Sequence, residues 1–200
     1  MQKNLGVDVD GVLTNIQDFI FEFGAKFSYE RGFDLENLNK DAYDSAITFN
    51  WCNNTDDEFW HEVLEKYSRD ERPRQLASEV LHKLKDEGWK IHIITARKSM
   101  KEEDIKVNKI EKILEEWLKI HDIPYDVLVF TGSDKIQEIK DYNIDVMIED
   151  SPNNIEQLRD LCSIIVFDAM YNKDCNGDNL TRVNSWYEIL DHLEKVTKKE

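Results

Sequence analysis

"NLGVDVDGVLTN", residues 4–15, places two carboxylates, Asp8 and Asp10, directly after an apolar run and before a glycine. A short apolar run ending in that way reads as a buried strand whose carboxyl end carries two like charges. At a sheet edge those charges repel each other and lose hydration, unless a cation or a proton-transfer task holds them there. The fold that creates this strand end and the chemistry it serves must therefore be found together.

Four more runs share the pattern: "WKIHIIT" at 89–95, "DVLVF" at 126–130, "DVMIE" at 145–149 and "SIIVF" at 163–167. Their nearly continuous apolar character predicts strands covered on both faces. Between them, "DIKVNKIEKILEEWLKIHD" (104–122) repeats Ile105, Ile110, Ile113, Leu114, Trp117 and Leu118 near a 3.6-residue period, which predicts one helix packed on a sheet. After Pro73, "RQLASEVLHKLKDEG" predicts another helix, stopped at Gly88. Strand and helix alternate, so the expected class is α/β: a Rossmann-like parallel sheet flanked by helices, with ligands beyond the carboxyl ends of the strands.

One interval breaks the rhythm. From Asn15 to about Glu71 no buried strand is evident, while phenylalanines, tryptophans and tyrosines accumulate. Within it "TDDEFWHEVLEKY" predicts a helix with Thr55 as N-cap and acidic residues in the first turn. The expectation is a small helical cap over 15–74, inserted after the first strand into a core domain made of 1–14 and 75–200. A chain of 200 residues can bury one sizeable core and carry such an insertion.

Composition limits the partners. With 42 acidic against 26 basic residues, the net charge of -16 opposes attraction to nucleic-acid polymers and anionic membranes. A small phosphate-bearing ligand stays compatible, because local cations and a bound metal can reverse the potential inside one pocket. Cys52, Cys162 and Cys175 are odd in number and form no CxxC pair, which argues against a disulfide framework or a thiolate metal site. No apolar run approaches the roughly 20 residues of a membrane span. The expectation is a soluble cytoplasmic protein, monomer or homodimer.

The strand ends carry the chemistry: Asp8 and Asp10, then Thr95 after "KIHII", Lys135 opening a helix in "TGSDK", and Glu149 with Asp150 after "DVMI". Taken singly, these fit a solvated strand end, a helix cap and a surface lysine. In a parallel sheet they converge on one rim, where two carboxylate clusters, a hydroxyl and an ammonium suit a hard divalent cation and a phosphoryl group. A calcium loop aligned on Gly11 would need carboxylates at Gly6 and Gln17. In "NKDCNGDNLTRV" (172–183) the twelfth position is Val183, so that stretch reads as a polar surface turn. His61, His82, His92, His121 and His192 show no metal-ligand spacing and are expected on helix surfaces or beside the core.

In order, "DVDGV", "ITAR", "SDK" and "IEDS", across residues 8–151, resemble the four motifs of the haloacid dehalogenase-like phosphatase superfamily. "IITAR", "YDVLVFTGSDK", "MIEDSPNN" and "FDAMYN" further resemble its 5'(3')-deoxyribonucleotidase type C branch. The resemblance implies a Mg2+-dependent phosphomonoesterase acting on nucleoside or deoxynucleoside monophosphates. It implies that Asp8 attacks phosphorus to form an aspartyl-phosphate and that Asp10 handles the proton, as a poor alkoxide leaving group requires. Mg2+ would be held by the Asp8 carboxylate, the Asp10 backbone carbonyl and Asp150, with Glu149 acting through water. Thr95 and Lys135 would hold phosphate oxygens. Arg97 is either a phosphate or cap contact or a surface salt bridge. Phe49, Trp51 and Trp60 of the cap are candidates for stacking on the base. Two other readings stay open: a phosphatase for another small metabolite such as a sugar phosphate, and a non-catalytic nucleotide-binding protein.

Overall fold

The computed structural model of the protein describes residues 3–52, 54–132 and 134–197. Ser133 of the third motif lies outside the described residues.

Six strands, β1 (Lys3–Val7), β2 (Trp89–Thr95), β3 (Val127–Phe130), β4 (Val146–Glu149), β5 (Ser163–Phe167) and β6 (Leu180–Val183), form one sheet in the order β3-β2-β1-β4-β5-β6. Every pairing is parallel, with Val7 opposite Ile93 on one side and Ile148 on the other. The fold is thus the expected α/β parallel sheet. The chain builds outward from β1 through β2 to β3, then crosses back to lay β4 on the other flank of β1. Such a reversal opens a crevice beyond the carboxyl ends of the two central strands. Asp8 follows β1 and Asp150 follows β4, so the chain's topology alone brings them together.

Alternation along each strand divides the apolar residues between two cores. Leu5, Val7, Ile91, Ile93, Ile148 and Ile165 meet three helices, α4 (Ala77–Asp86), α6 (Lys109–Ile120) and α9 (Trp186–Thr197). Ile94, Met147, Ile164 and Val166 point the other way, onto Ile139 of α7 (Ile136–Asp141) and Ile155 and Leu158 of α8 (Pro152–Leu158). Each fully buried aliphatic side chain contributes about 1.5–3 kcal/mol relative to exposure.

The interval after β1 forms α1 (Ile16–Arg31), α2 (Ser45–Phe49) and α3 (Thr55–Asp70), which pack on one another around a separate cluster that includes Phe19, Phe27, Phe49, Trp51, Phe59 and Tyr67. Gly24 of α1 admits the Phe49 ring, which a Cβ there would meet at 2.3 Å. The chain leaves the sheet and returns to it at one place: Thr14 and Pro73 pair as an antiparallel bridge, and the Arg74 amide donates to the Leu13 carbonyl at 2.7 Å.

Three local expectations need correction. The polar stretch 172–183 is no simple turn: its last four residues are the edge strand β6, with only Val183 buried, so no apolar run marks it. The helix expected over 104–122 is broken. α5 (Glu102–Ile105) ends early, Asn108 takes φ 49°, and Ile105 is exposed rather than part of the packed face of α6. Thr55 is the first residue of α3 and Asn54 its cap position, the Thr55 hydroxyl turning back to the Cys52 carbonyl at 2.6 Å.

Candidate active site

Beyond β1 the chain turns tightly, the Leu13 and Thr14 amides both donating to the Val9 carbonyl at 2.9 and 3.0 Å. Gly11 in this turn has φ +87°, and a Cβ there would lie 1.9 Å from Asp150 Oδ2. Glycine is therefore required twice over, for the left-handed backbone and for the close pass by the carboxylate.

Asp8, Glu149 and Asp150 are all buried and offer carboxylate oxygens within 4.8 Å of one another. The fully buried Lys135 answers them: its ammonium donates to Asp8 Oδ1 at 2.5 Å and Glu149 Oε2 at 2.7 Å. Burial pushes the Asp8 carboxyl up to about 7, with Lys135 opposing the shift and Glu149 and Asp10 adding to it. Burial, then Glu149 and Asp8, hold Asp150 well above the usual carboxylate range. Burial also works against the Lys135 ammonium, but Asp8 and Glu149 outweigh it and keep its pKa above the ordinary lysine value.

The two acids of the last motif differ in what they have left to offer. Glu149 Oε1 accepts the Asp150 and Ser151 amides, and its Oε2 accepts Lys135 and the Asn154 amide, so the protein satisfies both oxygens. Asp150 Oδ2 accepts the Tyr171 hydroxyl, whereas its buried Oδ1 has no protein partner. A buried, unpaired carboxylate oxygen beside two further carboxylates is the donor set of a hard cation such as Mg2+, and the residues fit one.

Asp10 is bonded outside that cluster. Its Oδ1 accepts the Arg97 guanidinium, through Nε at 3.0 Å and through Nη2, and the Tyr67 hydroxyl at 2.7 Å. Arg97 is only 4 % exposed, so the alternative of a surface salt bridge is corrected: a buried guanidinium, its carbon 4.4 Å over the Tyr67 ring, pairs with a half-buried carboxylate. Thr95 is fully buried and its hydroxyl accepts the Arg97 amide at 3.1 Å. The loop that delivers Lys135 is tied by Thr131, whose amide donates to the Thr95 carbonyl at 2.9 Å and whose hydroxyl bonds Glu138 at 2.6 Å.

Several residues at the site escape sequence reasoning. Tyr67 lies on α3, far along the chain from Asp10, and no spacing announces its reach. Replacing Tyr67 by Phe removes its hydroxyl's bonds to Asp10 and Thr14, and should lower kcat/KM by about 10- to 100-fold while Arg97 still holds Asp10. Steady-state phosphate release checks this. Tyr171 and Asn172 close the other flank. The Asn172 amide donates to the Asp150 carbonyl at 2.8 Å and the Phe167 carbonyl at 2.9 Å, and its Oδ1 accepts Arg182 at 2.7 Å. The signal for this pair was "FDAMYN", which follows β5 on the same rim.

Between α1, α2 and α3 lies a cavity of about 200 Å³, with Trp60 in its wall and Tyr171 shared with the acidic cluster. Phe49 and Trp51 do not line it. They stack on each other at 5.0 Å inside the helical cluster, and the Trp51 indole donates to Ser28 Oγ at 2.9 Å. The expectation that they stack on a base is corrected for this conformation, because the three helices need their area for packing.

Comparison with known proteins agrees with this picture. The family model described as "5' nucleotidase, deoxy (Pyrimidine), cytosolic type C protein" (NT5C) matches residues 2–199. "Putative nucleotidase YqfW" of Bacillus subtilis is 29% identical over 192 residues, covering 93% of this chain and 91% of that protein. Among solved structures, that of a "predicted phosphatase" from Clostridium acetobutylicum superposes with TM-score 0.68 at 18% identity, covering 98% and 99% of the two chains. A haloacid dehalogenase-superfamily hydrolase from Ehrlichia chaffeensis superposes with TM-score 0.53 at 14% identity, covering 98% and 99%. At such identities the structures speak for the fold alone.

Proposed function

The chain belongs to the cytosolic type C 5' nucleotidase family, and on that premise we propose a Mg2+-dependent phosphomonoesterase that hydrolyses nucleoside or deoxynucleoside monophosphates through an aspartyl-phosphate. The observation that carries the reading is the buried assembly in which Lys135 bridges Asp8 and Glu149 beside the unpaired oxygen of Asp150.

Asp8 is the nucleophile. Its carboxylate oxygen bonds to phosphorus as the ester oxygen leaves, and water then attacks phosphorus, releasing phosphate and restoring Asp8. Lys135 separates the negative charge of the nucleophile from that of the incoming phosphate and takes up a phosphate oxygen, with Thr95 at the same rim. Asp10 handles the proton. As the ion-pair partner of Arg97 it is an acceptor, ready to draw a proton from the hydrolytic water. For the first step Asp10 must carry a proton taken from bulk water, which it gives to the leaving alkoxide before taking one back from the hydrolytic water, while Arg97 Nη1, which has no protein partner, is open to a phosphate oxygen.

Asp8, Asp150 and the Asp10 carbonyl would hold Mg2+, with Glu149 acting through water because its oxygens are already committed. Bound there, the ion supplies neutralisation of the charge on the phosphoryl oxygens. Residues 15–74 act as the cap, excluding bulk water and large chains, so that the substrate is a small phosphate ester. Among the described residues no helix is long and apolar enough to cross a membrane.

The test is phosphate release from a panel of nucleoside monophosphates and sugar phosphates, with Mg2+ and with EDTA. The expected result is Mg2+-dependent release from a subset of the nucleotides. Release from sugar phosphates alone would replace the substrate class. Tight nucleotide binding with no turnover would replace the enzyme by a binding protein.

A further inference from the structure

We propose that Tyr171 is a positioning residue that makes the acidic cluster discriminate between divalent cations, Mg2+ ahead of Ca2+, by holding one oxygen of Asp150 and leaving the other to the ion. The inference rests on the nucleotidase reading, in which Asp150 is a metal ligand, and adds to it what sets the identity of the ion.

A carboxylate can give a cation one oxygen or two, and the two ions differ in which they accept. Mg2+ demands a near-ideal octahedron at about 2.0–2.1 Å, and the two oxygens of one carboxylate lie too close together to fill two of its corners. Ca2+ takes about six to eight oxygens at roughly 2.3–2.6 Å in a flexible shell, where a carboxylate commonly binds through both. A side chain that can present only one oxygen therefore favours Mg2+.

At Asp150 the two oxygens are already unequal. Oδ2 accepts the Tyr171 hydroxyl, while the buried Oδ1 has no protein partner. The turn after β1 closes on the same oxygen, since a Cβ at Gly11 would lie 1.9 Å from Oδ2 against 2.8 Å from Oδ1. What Asp150 keeps for an ion is thus Oδ1.

The hydroxyl comes from a braced segment. Tyr171 lies in a single turn, Met170–Asn172, and its ring meets that of Tyr43 edge-on with centroids 5.1 Å apart. The neighbouring Asn172 amide holds the Asp150 carbonyl, and Arg182 in turn donates to the Asn172 and Cys175 carbonyls, both at 2.8 Å. Backbone and side chain of Asp150 are therefore fixed from the same turn, and the carboxylate cannot rotate to present both oxygens without giving up the Tyr171 bond. Tyr171→Phe removes that bond alone, because the ring and its contact with Tyr43 remain.

The test measures Kd for MgCl2 and CaCl2 by titration calorimetry at constant ionic strength, with the wild-type protein and Tyr171→Phe. Asp150→Asn gives the background of cations held elsewhere on a chain of net charge -16. Losing a partner that orients a ligand costs about 10- to 100-fold in metal affinity. Mg2+ should accordingly bind Tyr171→Phe about tenfold or more weakly, while Ca2+ binds it at least as tightly as it binds the wild type. The ratio of the Ca2+ to the Mg2+ constant should exceed one in the wild type and fall by about tenfold or more in the variant. A mere packing defect weakens both ions alike, so an unchanged ratio overturns the inference. If the variant does not accumulate, the wild type decides, and Ca2+ bound as tightly as Mg2+ or more tightly overturns it. Those results leave the nucleotidase reading intact. A wild-type protein that binds neither ion above the Asp150→Asn background overturns the inference together with the metal in that reading.

Discussion

Asp8→Asn leaves a folded protein that releases phosphate at least about 10⁴-fold more slowly than the wild type, the scale of loss expected when a covalent nucleophile is removed. The carboxamide keeps the shape of the side chain but cannot displace an ester oxygen. Stability should move the other way. In the folded chain the Asp8 carboxyl titrates at about 7, above its ordinary 3.8, so the folded state binds the extra proton between those values. That contribution to stability is fully present below the ordinary value and is lost as pH rises through 7. In EDTA at about pH 8 the variant, which carries no charge to bury, should melt at or above the wild type, and at about pH 5 the advantage should shrink. Activity retained within tenfold of wild type would reject Asp8 as nucleophile. An advantage that grew towards acid pH would reject burial as the cause of the raised pKa.

Lys135→Met should be the most destabilising single change at the site. It removes the ammonium and leaves the buried Asp8 and Glu149 carboxylates, which it bridged, with no counter-charge beside Asp150. Breaking a buried pair from one side costs about 3–5 kcal/mol, which for a chain of this length lowers Tm by roughly 10 °C or more. Two additions should restore part of that loss, acidification towards pH 5 and millimolar Mg2+, since protonation and a cation each relieve the same repulsion. Activity should fall, because Lys135 is proposed to hold a phosphate oxygen, and should not return with stability. Melting curves at two pH values, with and without Mg2+, separate this from a packing defect, which neither addition would repair.

Much of this was legible in the chain because burial on both faces leaves a plain mark. β2, β4 and β5 are rich in valine and isoleucine and β1 buries Leu5 and Val7, and the acids after β1 and at the end of β4 stand out against that background. β6 carries Thr181 and Arg182 at the sheet edge, both only partly buried, so no apolar run announces it. The break at Asn108 was hidden because periodicity averages over a single left-handed residue. At the site, Asp8, Lys135 and Asp150 follow from strand ends and chain order. Tyr67 does not, since its contact with Asp10 depends on how α3 docks against α6 rather than on any spacing within α3. The same docking decides which aromatics become core. Phe49 and Trp51 stack inward while Trp60 faces the cavity, and composition treats the three alike.

The most direct test is to quench the wild-type protein in acid within its first turnover of a 32P-labelled nucleoside monophosphate with Mg2+, and to locate the label in the chain. The predicted result is a hydroxylamine-labile phosphate on the peptide that contains Asp8, absent from the Asp8→Asn protein. Steady release of phosphate with no label on the chain at any quench time, or label on a peptide lacking Asp8, would contradict the mechanism.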